Sequence, residues 1–261
     1  MGSMRKPLTT RICLPPGIPS GAVISKFLHL AFEKYRWFSP VRYGVASLNS
    51  RLNPDDIDYD ALLRFYEERD TLCVTARTDR DFFLIFPSKP DDPLYTGGVT
   101  WVTSVTCASK ASWRAAHLEQ VTELMRLVRS PFAFSSMDDD IEHKTRRWVP
   151  HEKGGQRHVS TVRDYSQGLA GLFWRNFYGP PFIRLFGERL TSLSPEYRQP
   201  LGDDLVLVQP YVLPTEAGTE AGAARERELI AHLGPECFYD HTHHVPPTRC
   251  PVLDHLTEPL H

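Results

Sequence analysis

A Gly-Pro-Pro break, Gly179-Pro180-Pro181, sits inside a run from Arg163 to Leu190 that is crowded with aromatic side chains. Proline fixes φ and removes a backbone donor, so no helix or central strand continues through that point. The first turn of a helix tolerates proline. A helix is therefore expected to begin at Pro180-Pro181 and to bury Phe182, Leu185 and Phe186. Before the break, Leu169, Leu172, Phe173 and Phe177 share one stripe at helical spacing, which predicts a first helix packed on the second. Gly168 and Gly171 would let another element approach that helix closely. Arg163, Arg175, Arg184 and Arg189 are expected to project outward or to pair with Asp164 and Glu188. Trp174, Phe177, Tyr178 and Phe182 suit a ligand box, but aromatics spaced like this beside a kink more often pack two helices together.

The rest of the chain mixes helical and strand-like patterns. Behind Ser20, a good cap, Ile24, Phe27, Leu28, Ala31, Phe32 and Tyr35 mark an amphipathic helix. Residues 41–48 read as a strand. A second helix is expected to start at Asn53-Pro54-Asp55-Asp56, with Tyr59, Leu62, Leu63 and Tyr66 on its inner face. Strands follow over 72–76, 82–86 and 98–107, the first two joined as a hairpin through Thr78-Asp79-Arg80-Asp81. Residues 87–97 form a loop. Ser109 is expected to cap a third helix with Trp113, Ala116, Gln120, Val121, Leu124 and Val128 inward, and 132–136 reads as a strand. The polar stretch 137–157 reads as a loop. A strand over 205–213, a helix stopped by Gly234 and a Pro-rich surface tail from Pro246 complete the chain.

There is no regular βα alternation, so the fold class is α+β, a mixed or antiparallel sheet covered by helices. With 261 residues, 41% hydrophobic and 24% charged, the composition is that of a globular protein. A chain of this size buries roughly 70% of its unfolded surface and needs no metal or disulfide to hold a core. Residues 4–261 are expected to form a single domain, with two subdomains meeting near 137–157. Met1-Gly2-Ser3-Met4 is read as a cloning remnant, with Met4 the natural start. The formal charge of −2 speaks against a general nucleic-acid binder. No apolar run reaches the ~20 residues of a membrane span. The odd number and scattered spacing of Cys13, Cys73, Cys107, Cys237 and Cys250 point to a reducing, cytoplasmic setting.

Two clusters carry chemistry. Cys237, His241, His243 and Cys250, with His244 an alternative to His243, supply thiolate and imidazole donors of the kind zinc prefers. Asp240 would be a general base beside such a metal, as in a zinc-dependent enzyme. The paired Cys-x2-Cys element of zinc fingers is missing, and the same residues suit a polar turn with exposed histidines. Asp138, Asp139, Asp140 and Glu142 form an acidic cluster beside Lys144, Arg146 and Arg147. It suits a basic protein partner, a divalent cation or a solvated loop. Motifs for a nucleophile elbow, a phosphate loop, a dinucleotide fingerprint or His-Glu-x-x-His are absent. Cys73 and Cys107 lie in apolar β-like runs, which favours inert buried thiols over nucleophiles.

The segment Asn176-Phe177-Tyr178-Gly179-Pro180-Pro181-Phe182-Ile183-Arg184-Leu185-Phe186-Gly187-Glu188-Arg189-Leu190 resembles the aromatic-Gly-Pro and Phe-Gly-rich part of bacterial polymorphic-toxin immunity proteins, the immunity protein 52 family in particular. The strand over 205–211 and the helix leading into Leu233-Gly234-Pro235-Glu236-Cys237-Phe238 are similar too, so the resemblance spans about the second half of the chain. It implies a cytoplasmic, non-catalytic protein that binds and neutralises a cognate secreted toxin, a nuclease-type effector, by occluding its active site. No catalytic residues, cofactor or membrane follow from it. The basic channel of a nuclease would meet the acidic patch at Asp138, Asp139, Asp140 and Glu142, or the one at Asp55, Asp56 and Asp58.

Overall fold

The computed structural model describes residues 6–45, 48–78, 80–88, 95–152, 154–253 and 256. The fold is α+β, and the chain divides into two compact units, one built on the chain up to Ala133 and the other on Phe134–Leu253.

The first unit contains β1 (Pro7–Cys13), α1 (Gly21–His29), β2 (Arg42–Gly44), β3 (Ser50–Arg51), α2 (Tyr59–Arg69), β4 (Leu72–Thr75), β5 (Phe82–Phe86), β6 (Gly98–Ser104) and α3 (Ala111–Leu127). Its strands lie in the order β1-β6-β5-β4-β2-β3, and every pair is antiparallel. Alternation sets the register: in β5, Phe83 and Ile85 are buried while their neighbours are only partly covered. Of the expected face of α1, Ile24, Phe27, Leu28, Ala31 and Phe32 are buried and Tyr35 is partly so, and a π-helical turn, Leu30–Lys34, extends the helix. Phe27 and Phe83 meet edge to face at 5.4 Å, and Trp37 stacks on Trp101 at 4.3 Å. His117 of α3 is fully buried and bonds the Thr10 hydroxyl at 2.9 Å.

Several boundaries differ from expectation, each for a local reason. The helix expected at Asn53 begins at Tyr59, because Asp58 caps it by accepting from the Ala61 amide at 2.8 Å. Asn53 instead closes a turn onto the amide of Asp55. Ser109 does not cap α3; its hydroxyl donates to the Thr106 carbonyl within a short 3-10 turn, Val105–Ser109, that also ends β6 three residues early. The hairpin of β4 and β5 forms as expected. Its turn residue Asp79, the expected strand positions 46 and 47, most of the 87–97 loop, the first four residues and parts of the tail lie outside the described residues.

The second unit carries most of β7 (Phe132–Met137), then α4 (Asp138–Thr145), β8 (Arg146–Pro150), β9 (Gln156–Ser160), β10 (Arg175–Tyr178), α5 (Pro180–Phe186), α6 (Glu188–Thr191), β11 (Arg198–Pro200), β12 (Val206–Val208) and α7 (Glu220–Leu233). Strands β11-β12-β10-β7 are neighbours in that order, and β8 and β9 pair only with each other. The helix α5 starts at Pro180 as expected, and α7 stops at Gly234. The strand over 205–213 is shorter than expected: Pro210 has no amide to donate, and β12 ends at Val208.

Two expectations are overturned. The stretch before the Gly-Pro-Pro break is not a helix. It runs as a 3-10 turn, Tyr165–Gln167, then irregular chain with a single bridge from Leu169 to Phe238, then β10. Leu169, Leu172, Phe173 and Phe177 are buried all the same. All four residues of β10 are buried, so this segment is covered on every side and its apolar spacing carries no helical information. Asn176 fixes the bend: its amide oxygen accepts from the Phe173 amide at 3.0 Å, and its nitrogen donates to the carbonyls of Phe173 and Val208. Gly168 sits at φ +100, where a Cβ would collide with Pro247. The close approach foreseen for the glycines therefore occurs, but at a turn. Arg175 is buried over the Trp174 ring, while Arg163 pairs with Asp164 and Arg189 with Glu236 rather than Glu188. The second overturned expectation is the 137–157 loop, which holds the last residue of β7, helix α4, strand β8 with its turn, and the start of β9.

Asn176→Ala would strand the amide and carbonyl of Phe173 in the core. We expect a loss of about 3 kcal/mol, taking about 1–3 kcal/mol per buried orphan. In chemical denaturation the midpoint should fall with an unchanged slope.

Candidate functional site

The acidic cluster is the first turn of α4. Asp138, Asp139 and Asp140 stand at the positive end of the helix dipole, and His143 and Lys144 at its negative end, so the charge order itself favours a helix here. The chain leaves the helix at Arg146 in extended conformation, directly into β8.

Lys144 turns inward and is 8% exposed. Its ammonium meets Asp140 Oδ1 at 2.7 Å, Glu226 Oε2 of α7 at 2.8 Å and the Leu172 carbonyl at 2.5 Å. All three donors of the ammonium are used. Its nitrogen lies 5.4 Å from the Phe173 ring centroid, and that ring stacks on Phe134 at 4.2 Å. Gly171 makes room for the aliphatic stem, because a Cβ there would stand 3.2 Å from Lys144 Cδ. Each carboxylate has a second partner: Ser136 donates to Asp140 Oδ2 at 2.6 Å, and the Tyr211 phenol donates to Glu226 Oε1 at 2.9 Å. Two carboxylates share one ammonium, so one negative charge is in excess. Burial pushes the Glu226 carboxyl above its usual range despite the opposing pull of Lys144. Burial, then Glu226, raises the Tyr211 phenol.

The four acidic residues singled out in the sequence therefore separate. Asp140 is spent inside, whereas Asp139 and Glu142 are exposed and Asp138 is half-buried. Glu142 lies 3.8 Å from Arg146, an exposed pair of little energetic weight.

The candidate metal residues are engaged locally. Cys237 is fully buried, and burial pushes its thiol up to about 11. Cys250 is exposed. His241 Nε2 donates to the Ala170 carbonyl at 2.7 Å, and burial lowers its imidazole. His243 Nδ1 lies 2.7 Å from Asp240 Oδ2, and Asp240 Oδ1 accepts from the amides of Thr242 and His243. Those backbone and side-chain bonds from His243 hold the Asp240 carboxyl at about 2. His244, at φ +58, completes a tight turn closed by the Asp240 and Val245 bridge. Among the described residues no group of three or more His, Cys, Asp or Glu side chains is gathered to hold a metal ion.

The first unit offers an open groove of about 550 Å³ lined by Lys26, His29, Leu30, Glu33, Lys34, Glu123 and Leu127. Lys34 donates to Glu123 Oε2 at 2.6 Å and Tyr35 donates to the same oxygen. Partial burial raises the Glu123 carboxyl, but these two bonds outweigh it and hold the group low.

In the sequence Lys144 figured only as a cation beside the acidic cluster, and Glu226 and Tyr211 had no place in a site. The i,i+4 spacing of Asp140 and Lys144 was a legible hint. The contribution of α7 comes from 82 residues further along and leaves no local pattern.

No protein-family model matches the chain, and no curated protein matches it. The resemblance to immunity protein 52 thus rests on the residues quoted for it. The structure is similar to that of the Pseudomonas aeruginosa T6SS protein PA0821, with a TM-score of 0.56 and 11% sequence identity, over 88% of this chain and 78% of that chain. At that identity the likeness is one of fold. Among the described residues no helix is long and apolar enough to cross a membrane.

Lys144→Ala leaves two buried carboxylates unpaired and should cost about 3–5 kcal/mol. Glu226→Gln keeps the shape and removes the excess charge, so its stability should stay near that of the parent. Its effect is sharpest in pH dependence. Because the folded state raises the Glu226 pKa, the stability this group contributes is full below about 4.5 and is lost as pH rises through the folded value. Denaturation midpoints measured from pH 4 to 8 should show that decline in the parent and lack it in Glu226→Gln.

Proposed function

We propose that this chain is a non-catalytic immunity protein of interbacterial competition. It acts in the cytoplasm, where it binds a cognate protein toxin, a nuclease-type effector, and covers its active site. The observation that carries this reading is the acidic helix α4. Its exposed carboxylates, Asp139 and Glu142, are presented on a helix anchored from beneath by Lys144. A surface held in one geometry before binding loses little entropy on association. Negative charge on such a surface suits the basic channel that a nuclease needs for its phosphate substrate. The likeness in fold to a protein named for the type VI secretion system agrees with a role in competition between bacteria. The lysine clamp has every donor filled, which suits a structural role better than proton transfer.

The deciding experiment is co-expression with the toxin encoded beside this chain. Growth should be rescued, and absence of rescue with both proteins produced would remove the reading. Asp139→Lys with Glu142→Lys should slow association by about tenfold at low salt, with the difference shrinking as salt screens the charges. Stopped-flow mixing at two ionic strengths reads this directly.

A further inference from the structure

The ribbon of β8 and β9 is unlike the other paired strands of the chain. It forms a two-stranded sheet of its own, registered from Arg146 opposite Ser160 to Pro150 opposite Gln156. Every residue of it is exposed or only partly covered, on both faces. An isolated pair of strands is marginal in water, so such an element persists only with support. The support is at its base, where Thr161 donates its hydroxyl to the Lys144 carbonyl at 2.7 Å and its amide to the Thr145 carbonyl at 2.9 Å. At its tip, Gly154 and Gly155 both take positive φ, and a Cβ on either would meet nothing. The turn is therefore shaped by backbone freedom and touches no neighbour near those two positions.

The side chains of this ribbon are those of an interface. Trp148 is 61% exposed, and the His158 ring directly across the ribbon packs edge-on against it. Alternation puts Arg147 and Arg157 with Val149 and Val159 on the opposite face. Between 146 and 160 the chain has four cations, Arg146, Arg147, Lys153 and Arg157, against one carboxylate, Glu152. In a protein of formal charge −2 this is a local reversal of sign. Among the described residues Arg147 and Arg157 pair with no carboxylate. Tryptophan and arginine are the side chains most enriched where interfaces concentrate their energy.

We propose that the β8–β9 ribbon is a docking element for an extended acidic segment of the protein partner, which adds along an edge of the ribbon so that its alternate side chains meet Trp148, the apolar anchor, on one face and Arg147 and Arg157, the charge partners, on the other. This rests on the partner-binding reading above and adds to it a second contact of opposite sign. A nucleic acid is the poorer occupant. The helix feeding the ribbon carries Asp138, Asp139 and Glu142, with Glu142 3.8 Å from Arg146. A continuous phosphate chain along the ribbon would run into these carboxylates. Separate carboxylates on a peptide can be placed between them.

The test uses the full chain and a labelled peptide alternating Glu with Val, read by fluorescence anisotropy. A Lys/Val peptide and a single-stranded oligonucleotide of equal charge serve as the other arms. Saturable binding of the acidic peptide alone is expected. It should weaken at least about tenfold in Trp148→Ala and in Arg147→Glu/Arg157→Glu, with thermal midpoints unchanged because these positions lie outside the core. Absence of acidic-peptide binding, affinity equal to the parent's in either variant, or tighter binding of the oligonucleotide overturns the proposal. The same variants in the co-expression assay separate the two ideas. If the parent rescues and the variants at limiting expression do not, the ribbon is supported. If all rescue equally, the ribbon placement falls while the immunity reading stands. If the parent itself fails, the immunity reading falls and the peptide arm decides the ribbon.

Discussion

A lysine ammonium taken out of water costs several kcal/mol unless its partners replace the lost hydration. Lys144 meets that condition with two carboxylates and a carbonyl, and those three partners come from three parts of the second unit: its own helix, α7 and the segment before β10. The ammonium is therefore a tie point. Moving any one element breaks a charged hydrogen bond in a low-dielectric setting. Apolar packing in the same place would resist separation, but would tolerate sliding. Geometry is what the ion triad adds, and α4 is the element whose placement depends on it most. Eight residues is too short for a helix to be stable alone.

That dependence passes outward. The last carbonyls of a helix lack intrahelical partners, and two of those at the end of α4 are taken by Thr161, the residue just after β9. The ribbon thus hangs from the helix end that the lysine fixes. A buried charge, a short helix and an exposed pair of strands form one mechanical series, running from the core to the surface. Acidic side chains leave this series on the helix and basic ones on the ribbon, so the surface it supports is charged in two signs within 25 residues.

How much of this was legible in the sequence depended on whether an element had one wet face and one dry face. α1 does, and its helical periodicity placed it well, whereas the hairpin of β4 and β5 was marked by two apolar runs around a polar turn, and α7 by its Gly234 stop alone, which left its start at Glu220 unmarked. β10 has no wet face. Its Arg-Asn-Phe-Tyr is buried throughout, and the stripe of Leu169, Leu172, Phe173 and Phe177 mimicked a helix only because every nearby apolar residue is inside. The ribbon fails in the opposite way. Neither of its faces is buried, and its polarity read as a loop. Of the acidic cluster, the residue types were visible, but the burial of Asp140 was not, since Glu226 lies far along the chain. The Cys/His group was legible as a composition. Its spacing could not reveal that Asp240 and a backbone carbonyl occupy two of its imidazoles.

Leaving the large apolar ring of Trp148 61% in water forgoes most of the roughly 1.5–3 kcal/mol that burying such a side chain contributes, and it does so on an element with little stability to spare. The hydroxyl and amide of Thr161 hold the base of the ribbon in place, and two glycines shape its tip. A chain that keeps its ribbon supported below and uncovered above has a surface suited to a second molecule, and the apolar area left open on Trp148 is the part of that surface whose burial would contribute most.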